Sequence, residues 1–116
     1  MPIREIHLTD GERLLLYRRR RGWTQLEAAK SYGVGVTLYK SWETAEVRYK
    51  PPPRAQLNHV RAREVCFILR RRLGITQKEL AARMGICRYW LYSMEQGDVS
   101  AKQLIEYWAK VGVPKP

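Results

Sequence analysis

The sequence predicts an all-α protein built from two copies of one helical unit, and three observations carry that expectation. GWTQLEAAKSYG at positions 22–33 returns as GITQKELAARMG at 74–85, an offset of 52 residues. Extended outward without a gap, the match pairs Glu12 through Val47 with Glu64 through Val99, and 13 of these 36 positions are identical, the mark of a duplicated structural unit. Helix punctuation recurs at equivalent places, and the apolar residues between the punctuation marks fall at spacings of three and four. No strand is expected.

Taken in chain order, Thr9-x-x-Glu12 has the spacing of a capping box, in which a hydroxyl accepts an orphan N–H and a carboxylate reaches back to the cap backbone. A first helix should follow, carrying Leu14, Leu15, Leu16 and Tyr17. Thr24-x-x-Glu27 starts a second helix, and Gly33 ends it after about two turns, because glycine enters the left-handed region without a Cβ penalty. After the turn, Tyr39 and Trp42 lie three apart on the buried face of a third helix. Three prolines at 51–53 suit a helix start but not a helix interior. Nothing after them breaks the pattern until Gly74, so one long helix is expected from Arg54 to Arg72. Its first half, with Leu57 and Val60, should close the core of unit one, and its second half, with Val65, Leu69 and Leu73, should open unit two.

Unit two then repeats the order. Thr76-x-x-Glu79 caps a helix that ends at Gly85, and Leu91 and Met94 mark the buried face of the next. An amphipathic helix from Ala101 to Val111, with Leu104, Trp108 and Val111 inward, closes the unit. The expected division is residues 1–57 and 58–116.

Charge bears on partners. The chain has 22 Lys plus Arg against 11 Asp plus Glu, a net charge of +11, which favours a polyanion. The runs RRRR at 18–21 and RRR at 70–72 leave open solvated helix ends, a basic targeting signal or phosphate contacts. No apolar run reaches the ~20 residues that cross a bilayer. MPIREIHLTD lacks the apolar region of a signal peptide, so a reducing cytoplasm is the expected setting for Cys66 and Cys87. The two cysteines lack CxxC zinc spacing, His7 and His59 stand alone, and no nucleophile, base or phosphate loop is evident. The expectation is a non-enzyme without cofactor, metal or small-molecule ligand.

The stretch ILRRRLGITQKELAARMGICRYWLYSMEQGDVSAKQLIEYWAKVG resembles the helix-turn-helix of the phage lambda and 434 repressor/Cro type, the XRE family of transcription regulators. GITQKELAARMGI followed by SMEQG carries the likeness. GWTQLEAAKSYGVGVTLYKSWETAE resembles a diverged copy that keeps TQ, Ala29, Gly33 and the WE pair but has Ala45 opposite Gly97. The resemblance implies tandem helix-turn-helix domains, in which the second helix of each pair lies over phosphates and the third enters the major groove.

Carried over by position, it makes Gln25 and Gln77 phosphate contacts, with Thr24 and Thr76 either sharing that role or serving only as caps. Arg88, Tyr89, Tyr92 and Ser93 become base-reading positions in unit two, with Arg88 suited to guanine O6 and N7 or else to a phosphate. Their counterparts in unit one are Val36, Thr37, Lys40 and Ser41, a set poor in bidentate donors, which leaves open that unit one packs or dimerises instead. Trp90 reads as a packing residue. The resemblance also pairs Glu43 with Arg18 and Glu95 with Arg70, freeing Arg19, Arg20, Arg21, Arg71 and Arg72 for the non-specific phosphate attraction.

The function so implied is a sequence-specific double-stranded DNA-binding regulator, a repressor of phage, prophage or plasmid origin, on an operator with two sub-sites and with a homodimer open. It would be cytoplasmic and nucleoid-associated. Two rivals stand beside it: an antitoxin or anti-host factor that binds another protein and autoregulates, and a basic nucleic-acid binder indifferent to sequence.

Overall fold

The computed structural model of the chain describes residues 6–44, 52, 53, 55, 57 and 59–113, and seven α-helices make up all the regular structure among them. The chain divides into Leu8–Asn58 and a second unit of His59–Pro116 together with Met1–His7. The boundary therefore falls one residue from the expected division, but Ile6 and His7 belong with unit two. Ile6 packs against the core of that unit, and Arg72 Nη2 donates to the His7 carbonyl at 2.8 Å.

Unit one holds α1 (Asp10–Arg21), α2 (Gln25–Ser31) and α3 (Val36–Glu43). Both of its capping boxes form as expected. Glu12 N–H donates to Thr9 Oγ1 at 3.1 Å and Thr9 N–H to Glu12 Oε1 at 2.9 Å; Thr24 and Glu27 make the same reciprocal pair at 3.1 Å each. Gly22 and Gly33 take the positive φ angles that end α1 and form the turn after α2. The core is aromatic: Tyr39 and Trp42 are buried at edge-to-face geometry with centroids 6.3 Å apart, and Tyr32 stacks on Tyr39 at 6.0 Å.

Unit two holds α4 (Ala62–Leu73), α5 (Gln77–Met84), α6 (Arg88–Gln96) and α7 (Lys102–Val111). Its core is mostly aliphatic, with Val65, Leu69, Leu80, Leu91, Met94, Leu104 and Trp108 buried together. Thr76 forms half of its expected box. Its hydroxyl oxygen accepts Glu79 N–H at 3.1 Å, and Glu79 lies 3.2 Å from that same hydroxyl instead of reaching back to the Thr76 backbone.

The long helix from Arg54 to Arg72 does not occur. Pro53, Ala55, Leu57, His59 and Val60 are not helical, and α4 starts at Ala62. Glu64 stops it from extending backwards, because its Oε1 accepts Arg61 N–H at 2.9 Å and caps the helix there. Consequently Leu57 packs on unit one as expected, whereas Val60 packs on unit two. Two end-of-helix residues also differ from expectation: Leu73 and Val111 are exposed, because the last residue of each helix projects past the core that the earlier turns cover.

The two cysteines differ sharply. Cys66 is buried and Cys87 exposed, and burial, with the nearby Glu95 carboxylate adding to it, pushes the Cys66 thiol from 9.0 up to about 12. Since the thiolate is the reactive form, a disulfide reagent at pH 8 should titrate one thiol in the native protein and a second only after unfolding. Two fast thiols would contradict this burial. The sign of the linkage is that the unfolded chain releases the proton first, so this group withdraws stability as pH rises from about 9 toward 12.

Candidate nucleic-acid interface

Each unit is organised around one buried carboxylate. In unit two, Arg70 donates from Nε to Glu95 Oε2 at 2.8 Å and from Nη2 to Oε1 at 3.1 Å, while its Nη1 donates to the Ile75 carbonyl at 3.1 Å. Gln77 Nε2 donates to the same Glu95 Oε1 at 2.9 Å. Unit one has the same set: Arg18 to Glu43 at 2.6 and 3.3 Å, Arg18 to the Trp23 carbonyl at 3.2 Å, and Gln25 to Glu43 at 3.2 Å. One carboxylate thus joins the end of the first helix of a unit, the start of the second and the end of the third. Such bidentate, charge-assisted bonds fix orientation as well as contributing energy.

The Arg–Glu pairs are therefore those the resemblance implied, but Gln25 and Gln77 are not free amides. One Nε2 proton of each is committed to the carboxylate, so the other proton and the backbone N–H groups at the helix start are what each can offer an anion. Thr24 and Thr76 act as caps, each accepting an N–H at its hydroxyl oxygen.

Beside these anchors stands the outward face of α6. At ~100° per residue, Arg88 and Tyr92 adjoin one another, Tyr89 and Ser93 continue the arc, and Trp90 flanks it, while Leu91, Met94 and Glu95 turn inward. Tyr89 is 70% exposed and Tyr92 48%. Trp90, expected to pack, is 46% exposed; its position on the arc, not its residue type, was the signal. Arg88 is exposed, and its guanidinium lies over the Tyr89 ring at 5.2 Å, a cation–π contact that limits its range of rotamers. Lys78, exposed in the first turn of α5, adds a cation that the motif did not single out.

The matching face of unit one is quieter. Thr37 and Lys40 are exposed and Val36 is half-buried. The Ser41 hydroxyl donates to the Leu38 carbonyl at 2.6 Å, so that proton is already used. Exposed Leu26 stands where unit two has Lys78.

The basic runs are only partly available. Arg20, Arg21 and Arg71 are exposed, whereas Arg19 is half-buried. Arg21 rests over the Trp23 ring at 4.8 Å, and Arg72, expected to be free, is tied to the His7 carbonyl.

Among the described residues no group of three or more His, Cys, Asp or Glu is placed to hold a metal, and no helix is long and apolar enough to cross a membrane. Comparison with protein-family models, curated proteins and solved structures yields no match.

Proposed function

We propose that this chain is a non-catalytic, sequence-specific binder of double-stranded DNA that regulates transcription through tandem helix-turn-helix units, in the manner of a phage, prophage or plasmid repressor. The observation that carries the reading is the α6 face of unit two. A guanidinium held on a tyrosine ring, two exposed tyrosines and a half-buried serine run from the first residue to the middle of a helix whose far end is bolted by Glu95 to the N-terminus of α5. That arrangement suits a helix end inserted in a major groove, with Arg88 on guanine and the tyrosines against thymine methyls or sugars, while the Gln77 N–H groups meet a phosphate. Net charge of +11 supplies the long-range attraction.

Unit one fits a supporting role, since the exposed cation on its outward helix, Lys40, suits a phosphate and that helix has no bidentate donor. Most discrimination is thus assigned to unit two.

Selection from random duplexes, followed by affinity measurement, tests the reading. A motif should emerge, Arg88→Ala should weaken it by about 1–3 kcal/mol and relax one position, and Thr37→Ala should do far less. Gln77→Ala should weaken all sequences alike. If no motif emerges and affinity tracks only salt, the charge-only rival holds. A stoichiometric protein partner that binds without DNA would favour the antitoxin reading instead.

A further inference from the structure

Unit two has a second basic feature that the base-reading face does not use. A recess of about 290 Å³ opens between the start of α4 and the loop joining α6 to α7; Arg61, Arg63, His59 and Ser100 line it, with Gly97 as part of its wall. None of the residues lining it is acidic. The helices α4 and α7, 12 and 10 residues long, both begin at its rim, where Ala62 and Ala101 contribute to the lining.

Arg61 is out of place by the local rule for a helix start. Arg61 is the N-cap of α4, a position that favours Ser, Thr, Asp or Asn, and it gives no side-chain cap bond. It stands opposite Thr9, which caps α1 with a full box. Arg63 stands opposite Gly11, and the first turn of α1 carries Asp10 and Glu12 where that of α4 carries Ala62 and Glu64. Arg61 thus puts a cation at the positive end of a helix dipole, where anions are favoured and cations are not, whereas the Arg63 guanidinium reaches across to Gly97, the C-cap of α6, where a cation is favoured. The twin unit demonstrates that the helical scaffold does not require them.

Two side chains of the recess keep donor capacity. The Arg63 guanidinium lies against Gly97 so closely that a Cβ there would come within 2.6 Å of Arg63 Cζ and Nε. The glycine, at φ +88, therefore leaves room for this side chain. Ser100 Oγ accepts the Lys102 N–H at 3.3 Å, which leaves the hydroxyl proton to be donated. Among the described residues, neither Arg61 nor Arg63 has a carboxylate partner: Glu64 spends Oε1 on the Arg61 backbone N–H, and Asp98, exposed in the same loop, does not line the recess.

We propose that this recess is a phosphate-binding site, in which Arg61, Arg63 and the Ser100 hydroxyl, with the N-terminal N–H groups of α4 and α7, hold one tetrahedral oxyanion. The inference stands apart from the base-reading role of α6. The phosphate group has two possible sources, a free phosphorylated small molecule or the backbone of a bound duplex, and both present the same chemistry to these donors.

The test uses the full chain and inorganic phosphate. Backbone amide and arginine Nε resonances are followed during titration, with sodium chloride at matched ionic strength as control. Saturable shifts are expected at Ala62, Arg63, Ala101 and Lys102. Arg61→Gln and Arg63→Gln should each raise the apparent Kd by about tenfold.

Arg61→Thr separates binding from folding. It restores the cap of the twin unit, so Tm should rise by about 4–8 °C while phosphate affinity falls. Opposite movement of the two readouts is the signature of a binding residue; a merely structural arginine would lower both or neither.

Duplex affinity of the glutamine variants then identifies the source. Unchanged affinity marks a site for a free phosphorylated ligand, whereas a uniform loss across sequences with a shallower salt slope marks a backbone phosphate. The proposal is overturned if phosphate gives no saturable shift beyond the chloride control and the variants bind duplex like the parent. It is equally overturned if phosphate saturates but the variants leave its Kd unmoved.

Discussion

Glu95→Ala is expected to unfold unit two selectively, with a loss of about 3–5 kcal/mol. The Glu95 side chain is wholly buried and that of Arg70 only 15% exposed. Removing the carboxylate strands a guanidinium in a place where water scarcely reaches it, and it also releases Gln77 from the start of α5. Native-state hydrogen exchange checks this unit by unit: amides in α4 to α6 should lose protection by two orders of magnitude or more, while those in α1 to α3 keep theirs. A loss below about 1 kcal/mol would mean that the network is ornamental.

The cause of that loss can be isolated. If the cost comes from the stranded charge more than from a lost attraction, Arg70→Met combined with Glu95→Leu should recover most of it, since a well-packed apolar pair often matches a buried ion pair in stability. The double variant would still bind DNA poorly under the proposed function. Gln77 would have lost the acceptor that holds its amide, and the start of α5 its link through Arg70 to the Ile75 carbonyl. Stability restored with affinity lost would assign the carboxylate to positioning.

Much of this network was legible in the sequence because the repeat states it twice. Capping boxes and glycine turns depend on spacings of three to nine residues, while the Arg–Glu pairs came from the family resemblance, which puts them at the same separation in both copies. What sequence could not supply was the third partner. Gln77 and Glu95 are 18 residues apart, and a TQ pair at a helix start is equally consistent with a phosphate contact. The start of α4 was missed for a different reason. Residues 54 to 73 contain no helix breaker, so propensity allows a continuous helix, yet the offset of 52 places Arg61 opposite Thr9, the cap of α1. An arginine there hides the signal, and only Glu64, three residues on, preserves it. Exposure of Leu73, Trp90 and Val111 escaped because residue type alone does not decide burial at helix ends or at the flank of an outward face.

Gly11→Ala should destabilise unit one by about 1–3 kcal/mol, although alanine is ordinarily the better residue inside a helix by about 0.5–1 kcal/mol. Two effects compete, and the surroundings decide between them. A Cβ at Gly11 would collide with the Trp42 carbonyl oxygen and come within 2.7 Å of that of Glu43. Both obstacles are backbone at the end of α3, so neither can turn aside as a side chain would; α1 or α3 must shift. That shift would strain the Arg18–Glu43 pair and the seat of Trp42, which is 1% exposed. Gly11→Arg, which imports the residue that unit two carries at Arg63, should cost more than Gly11→Ala, because the added stem has to leave the same tight approach. Urea unfolding followed by exchange protection of α1 to α3 measures both. A Gly11→Ala variant more stable than the parent would mean that the approach of α1 to α3 is loose, and that the glycine is there for some reason other than packing.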